Sequence, residues 1–353
     1  MKATLFEALS IASMERMHSQ TLAWIMNQPE DVIPDSDKSI ALKRLFRLRF
    51  PEPLTNVVAV TEQDRVDIVI QSDQIWIYIE NKLKSSEHGE QLLEYINSQS
   101  CKKEVHYRPV FAYLTYINEQ PSDERWLSVS CRELEASLRM LSPMQRSSEQ
   151  VFLNDYLKTL RHMNLVLDCF RENHQEFPNV FSDGSKKKND KQKYENEYMD
   201  YVRKNQLETI LQKDFLNRVM DSIPGEMNYF ISESRGNALV QINLGKLNVD
   251  GSTYVVGLQY QNRALKFNVA SGNYKESCAE DIGRVADVVR SMIKGNMGYR
   301  RYNKPRSRAY LSLSKRLPVE VEKIDIEEFT GILHREIEGA NRLLDLLRKQ
   351  IMK

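Results

Sequence analysis

Long apolar runs are missing from this 353-residue chain. No stretch approaches the ~20 residues needed to cross a bilayer. The opening MKATLFEALSIASMERMHSQ has no long apolar centre and meets a glutamate early, so neither a membrane span nor a signal peptide is expected. Cysteine is scarce: Cys101, Cys131, Cys169 and Cys278 stand far apart and form no CxxC pair. That spacing argues against a zinc site or a disulfide framework, and for free thiols in a reducing compartment, so the expected location is cytoplasmic. Charge of one sign is also lacking. Lys and Arg number 50 against 49 Asp and Glu, a net charge of +1, so no global field draws the protein to a polyanion or a membrane, and any nucleic-acid surface must be local. There is no phosphate-binding GxGxxG, no GxxxxGK and no HxxxH among the six histidines.

What is present is ordinary globular composition, 41% hydrophobic and 28% charged, in a chain long enough for two domains. Phe6, Leu9, Met14, Met17, Leu22, Ile25 and Met26 recur at helical spacing, and Asn27-Gln28-Pro29 ends that helix. A second helix is expected over Ser36–Leu48. The period then shortens. Asn56–Val60, Val66–Ile70 and Ile75–Ile79 are rich in β-branched and aromatic residues and read as strands. A helix over Ser86–Ser98, a strand over Pro109–Tyr116, a short strand at Leu127–Val129 and a helix over Arg132–Leu141 follow. This order predicts an α/β core over 1–145. A helical region over 146–222 has long helices at Glu149–Glu176 and Glu195–Ser222, with an exposed, lysine-rich linker near 182–191. An α+β module over 223–353 completes the chain. Its strands are expected near 227–232, 238–245, 253–260, 264–270 and 309–314, and its helices near 278–294 and 326–350.

The strands Val66–Ile70 and Ile75–Ile79 are joined by a short link, so they are expected to form a hairpin. If Ile70 faces Ile75, alternation puts Asp67, Tyr78, Glu80 and Lys82 on one face, with Asp67 and Glu80 as diagonal neighbours. The inference requires an even-numbered turn. Two carboxylates on one face can hold Mg²⁺, which takes oxygen ligands and keeps several waters. A lysine beside them can orient water and offset charge on a phosphate. A solvated sheet face carrying a charged pair would leave the same pattern. Gln91 and Tyr95 lie one helical turn apart and share a face, as Glu15 and His18 do on the first helix.

Arg65–Ile70, then Ile79-Glu80-Asn81-Lys82-Leu83, then Gln91-Leu92-Leu93-Glu94-Tyr95 resemble the PD-(D/E)XK nuclease superfamily. Glu15–Trp24 is similar to the opening helix of a bacterial stand-alone branch that reads E-x-x-H-S. The resemblance covers about residues 5–130. One departure is Val66, which stands before Asp67 in place of a proline that many members also lack. It implies a restriction-endonuclease-like core of helix, three strands, helix and strand. Asp67 and Glu80 would be metal ligands with the Asn81 carbonyl beside them, Lys82 the catalytic lysine, Glu15 the helix-borne acid completing the site, and Gln91 and Tyr95 the motif of the related exonuclease domains. It also implies Mg²⁺ (or Mn²⁺), DNA as substrate with RNA not excluded, and a role in antiviral defence.

Tyr299–Tyr310 interleaves the basic residues Arg300, Arg301, Lys304, Arg306 and Arg308 with three tyrosines and no acid. Basic groups bind phosphates and tyrosines stack on bases, so this segment is expected to contact nucleic acid. Two other readings compete: a non-catalytic nucleic-acid-binding protein that kept the fold, and a regulatory subunit whose C-terminal module binds a protein partner. Cleavage specificity and oligomeric state have no signature in the sequence.

Overall fold

The computed structural model describes the chain except residues 64, 84–86, 88–90, 101–107, 143–146, 182–195, 294–297, 300, 304–307 and 352–353, and the side chains of 99, 100, 108, 284, 290–293, 301 and 302. The lysine-rich linker and Cys101 therefore lie outside the described residues. Cys131, Cys169 and Cys278 are free thiols. The chain divides into two compact units, one of 1–172 with 192–211 and one of 173–191 with 212–353. The helical stretch forms no unit of its own, and the division falls inside one of its helices.

The first unit is built on a five-stranded mixed sheet. Its strands are β1 (Val58–Gln63), β2 (Val66–Gln71), β3 (Ile75–Lys82), β4 (Arg108–Thr115) and β5 (Trp126–Ser130), paired in that order. β1, β2 and β3 are antiparallel, whereas β3, β4 and β5 run parallel. A parallel pair needs a crossover, and the β3–β4 crossover carries a helix, as such connections usually do. The first helical stretch is not continuous. It splits into α1 (Leu5–Ala8) and α2 (Glu15–Met26), because Ser10 takes φ +57, outside the helical region. α3 (Asp35–Leu45) precedes the sheet, α4 (Gln91–Ser100) is the crossover helix, and α5 (Cys131–Leu138) and α6 (Ser148–Glu172) follow it. The second expected long helix is likewise two, α7 (Glu197–Lys204) and α8 (Glu208–Ser222), with Gln206 at φ +53 between them.

The second unit carries a six-stranded, fully antiparallel sheet in the order β10-β11-β9-β8-β7-β6. The strands are β6 (Tyr229–Ser234), β7 (Asn237–Val249), β8 (Ser252–Gln261), β9 (Ala264–Ser271), β10 (Arg301–Asn303) and β11 (Tyr310–Arg316). Three-residue β10 went unanticipated, being too short for any alternation to register. α9 (Gly283–Ile293) and α10 (Ile326–Ile351) complete the unit. Six of the nine buried positions of α10, Phe329, Leu333, Ile337, Ala340, Leu344 and Leu347, follow one another three or four residues apart, and the helix packs on β7 and β8. β7 bulges at Asn243–Gly245. Gly245 there has φ +133, which a side chain would strain.

The two faces of the first sheet are covered differently. α2 packs against β1, β2 and β3. On the opposite face, Leu92, Tyr95 and Ile96 of α4 pack on Val69, Tyr78, Phe111, Tyr113 and Trp126. The rings of Tyr78 and Phe111 stack at 5.4 Å, and the Trp126 indole donates to the Leu92 carbonyl at 3.2 Å. Leu92 is fully buried in this cluster. Leu92→Ala should therefore cost about 2–5 kcal/mol, the usual range for a truncated core leucine. All three tryptophans, Trp24, Trp76 and Trp126, belong to the first unit. Urea unfolding followed by tryptophan fluorescence should show the loss as a lower midpoint. An unchanged midpoint would mean that α4 does not stabilise the sheet.

Candidate active site

The hairpin register decides which side chains meet. Ile68 pairs with Ile79, Val69 with Tyr78, Ile70 with Ile77 and Gln71 with Trp76. The expected partner of Ile70 was Ile75, so the register differs by two residues. Ser72 is the cause. Its amide donates to the Ile75 carbonyl at 3.0 Å, and its hydroxyl accepts from the amides of Gln74 and Ile75, which closes a tight loop of Asp73 and Gln74. A shift of two leaves every side chain on its expected face. It also moves Asp67 from a diagonal position to one directly opposite Glu80, one step beyond the Ile68–Ile79 pair.

Glu80 and Asn81 are almost wholly buried, at 1% exposure each. One carboxylate oxygen of Glu80, Oε1, accepts from Lys82 Nζ at 3.0 Å and from Gln91 Nε2 at 2.9 Å. The same Gln91 nitrogen donates to the Tyr95 hydroxyl at 2.5 Å. The QxxxY pair of α4 therefore reaches the carboxylate across one helical turn. The other oxygen, Oε2, is buried and has no hydrogen-bond partner among the described residues. Asp67 accepts from the Asn81 backbone amide at 2.8 Å through Oδ2.

Burial pushes the Glu80 carboxyl up to about 7, and the Asp67 charge pushes the same way, against Lys82. Burial also raises Asp67, opposed by the Asn81 amide and by Lys82 and reinforced by Glu15 and Glu62. Burial alone would lower Lys82, but the charge and hydrogen bond of Glu80 hold its ammonium above the ordinary lysine range. Tyr95 is raised, by burial first.

This donor set fits a hard cation. Mg²⁺ needs only one or two carboxylates, since it keeps most of its waters. A buried carboxylate oxygen with no partner costs free energy that a bound cation would remove. Asp67 and Glu80 supply the acids. Among the described residues no group of three or more His, Cys, Asp or Glu comes together to hold a metal. Glu15 of α2 is the third acid expected beside them. Its charge does reach them, raising Asp67 and Glu80 alike.

His18 does not face this cleft. It is buried, with Nδ1 2.9 Å from the Tyr156 hydroxyl on α6 and Nε2 2.8 Å from the Ala12 carbonyl. Three residues leave a helix about 60° short of a full turn, enough to aim Glu15 and His18 at different neighbours. Two participants escaped sequence reasoning. Glu62 lies on β1, and its charge raises Asp67. The Asn81 side chain bonds to α2. Glu62 had no motif to mark it, and Asn81 stood inside a motif noted for its carbonyl alone.

In the basic segment, Arg300, Lys304 and Arg306 and the Arg301 side chain lie outside the described residues. The Tyr302 side chain lies outside them too, and the other two tyrosines do not stand free for stacking. Tyr299 is buried, with Lys315 Nζ 5.1 Å above its ring. Tyr310 is half-buried and donates its hydroxyl to Asn268 at 2.8 Å. Arg308 donates to the backbone carbonyls of Lys275 and Ser277. These side chains are bound into the fold, a placement that charge density in the sequence does not reveal.

The raised carboxyl gives a signed pH dependence. A group whose folded pKa exceeds its ordinary value of 4.5 favours the folded state below that value, and the benefit is lost as pH rises through about 7. Glu80→Gln should therefore raise the melting temperature of metal-free protein at pH 8 but hardly at pH 4.5. Calorimetric melts at both pH values, in EDTA, check this. Equal shifts would show that Glu80 is not strained when ionised.

The sequence model of the PD-(D/E)XK nuclease superfamily matches residues 4–213, more than half the chain and all of the elements that bring these side chains together. No curated protein and no solved structure matches significantly. A five-stranded mixed sheet flanked by helices, with two acids and a lysine at the end of its central hairpin, thus coincides with a family match over the same residues, and the chain belongs to the PD-(D/E)XK nuclease superfamily.

Proposed function

We propose that this protein is a Mg²⁺-dependent nuclease that hydrolyses DNA phosphodiester bonds. The observation that carries the reading is the Glu80 carboxylate: one oxygen is held by Lys82 and Gln91, and the other is buried with no hydrogen-bond partner among the described residues. Asp67 and Glu80 would hold the cation, with the Asn81 carbonyl beside them. When bound, Mg²⁺ (or Mn²⁺) supplies positive charge opposite the phosphate and acidifies a water. Lys82 stays protonated, so it can hold a phosphate oxygen and offset the charge that builds in the transition state. Gln91 and Tyr95 fix the Glu80 rotamer, and Glu15 adds negative charge from the helix. In the net reaction water adds to phosphorus, the bond to the 3′ oxygen breaks, and that oxygen leaves as a hydroxyl. The resemblance to a bacterial stand-alone branch supports a cytoplasmic role against foreign DNA. No helix among the described residues is long and apolar enough to cross a membrane.

Asp67→Ala, Glu80→Ala and Lys82→Ala should each lower cleavage by on the order of 10²-fold or more while leaving the protein folded. The assay is incubation of linear, circular and single-stranded DNA, and of RNA, with Mg²⁺, Mn²⁺ or EDTA. Full activity in a folded single variant removes that residue from the mechanism. Binding without any cleavage would favour the non-catalytic reading, and cleavage of RNA alone would replace DNA as the substrate.

The second unit we assign to holding nucleic acid outside the catalytic pocket, through the basic segment, with a protein partner as the rival role. Neutralising Arg300, Arg301, Lys304, Arg306 and Arg308 together should weaken DNA binding and flatten its dependence on salt, because fewer counterions are released. Arg308→Ala alone should contribute little to that slope, since its guanidinium serves backbone carbonyls. An unchanged slope in the full variant would leave the segment a solvated surface.

A further inference from the structure

We propose that the Asn81 side chain is a positioning residue. It fixes the first turn of α2, and with it Glu15, against the end of the sheet that carries Asp67 and Glu80. The inference rests on the nuclease reading and deepens it.

Asn81 sits between Glu80 and Lys82 but points the other way. Alternation along β3 sends Glu80 and Lys82 toward α4 and Asn81 toward α2. The preceding residues of its own face, Ile75, Ile77 and Ile79, are apolar and buried. A polar side chain that continues such a row is costly unless it is bonded. Asn81 spends its Nδ2 on α2, donating to the Glu15 carbonyl at 2.8 Å and to the Ser19 hydroxyl at 3.0 Å. Ser19 in turn donates to the Glu15 carbonyl at 3.2 Å. The first turn of α2 needs this help, because its N-cap, Met14, makes no side-chain capping bond.

The backbone of the same residue completes the assignment. Its amide donates to Asp67 Oδ2 at 2.8 Å. One residue therefore references all three acids: Glu80 by peptide linkage, Asp67 by its amide, Glu15 by its side chain. The remaining side-chain atom argues against a merely stabilising role. Asn81 Oδ1 is buried with no hydrogen-bond partner among the described residues. A leucine of similar shape would remove that unsatisfied oxygen and extend the apolar row. Stability alone would favour leucine here, whereas positioning requires asparagine.

The test uses the full chain as Asn81→Leu, Glu15→Gln and the double variant. Mn²⁺ affinity is measured by titration calorimetry, melting temperature in EDTA, and kcat and KM on linear DNA. Asn81→Leu should melt no lower than the parent in EDTA, yet bind Mn²⁺ about tenfold more weakly and lose kcat with KM little changed, the scale of loss seen when groups behind metal ligands are removed. Glu15→Gln should show the same pattern. The double variant should be no worse than either single one, because both changes act through the same carboxylate. Unchanged Mn²⁺ affinity and kcat in folded Asn81→Leu would overturn the proposal, as would fully additive losses in the double variant. Should Asn81→Leu fail to fold, Ser19→Ala removes one bond of the clamp, with a smaller loss of Mn²⁺ affinity expected and none overturning the idea. A parent that binds no Mn²⁺ defeats the nuclease reading itself, and this inference with it.

Discussion

Asp67 and Glu80 face each other across a tight hairpin, Glu80 buried and Asp67 half-buried, and the cost of keeping two acids there sets the terms for what surrounds them. Burial drives both carboxyls upward, and the Asp67 charge raises Glu80 further. The fold answers with three donors of different kinds: the ammonium of Lys82, the amide side chain of Gln91 and the backbone amide of Asn81. None of them reaches Glu80 Oε2. A buried oxygen left unmet costs stability. Functional sites commonly carry this local conflict while the surrounding core is free of it.

The core supplies the stiffness that keeps the acids together. A row of ring contacts, Tyr78 stacked on Phe111 and Phe111 tilted against Trp126, runs across β3, β4 and β5, and α4 is laid on it by Leu92, Tyr95 and Ile96. Tyr95 serves twice, burying its ring in the cluster and offering its hydroxyl to Gln91. The charged end of the sheet and its apolar middle are thus joined through a single helix.

Most of this was legible in the sequence where periodicity is strict. The hairpin, the shared face of Asp67, Glu80 and Lys82, and the single face of Gln91 and Tyr95 all follow from periods of 2 and 3.6, which burial enforces. Local backbone choices were not legible. The left-handed turns at Ser10 and Gln206 cut two expected helices, and neither residue is a glycine or proline that would announce a break. The register slip came from one hydroxyl, that of Ser72, closing a turn. Side-chain destinations beyond the element were the hardest to read. His18 looked like a companion of Glu15 and turned out to be a bolt to α6. Tyr299 looked like a base-stacking platform and is buried beneath a lysine.

The Asp73–Gln74 loop carries a consequence for how this chain can vary in length. Every side chain of β3 owes its face to the parity of that loop. One added residue must either flip the strand, sending Glu80 and Lys82 to the helix α2 side, or be absorbed as a bulge before the acids are reached. Two added residues restore the original facing at the cost of a longer link. Tolerated changes at this point therefore come in pairs, so a two-residue loop at the other end of the strand from the acids is held to an arithmetic rule as strict as any placed on the acids themselves.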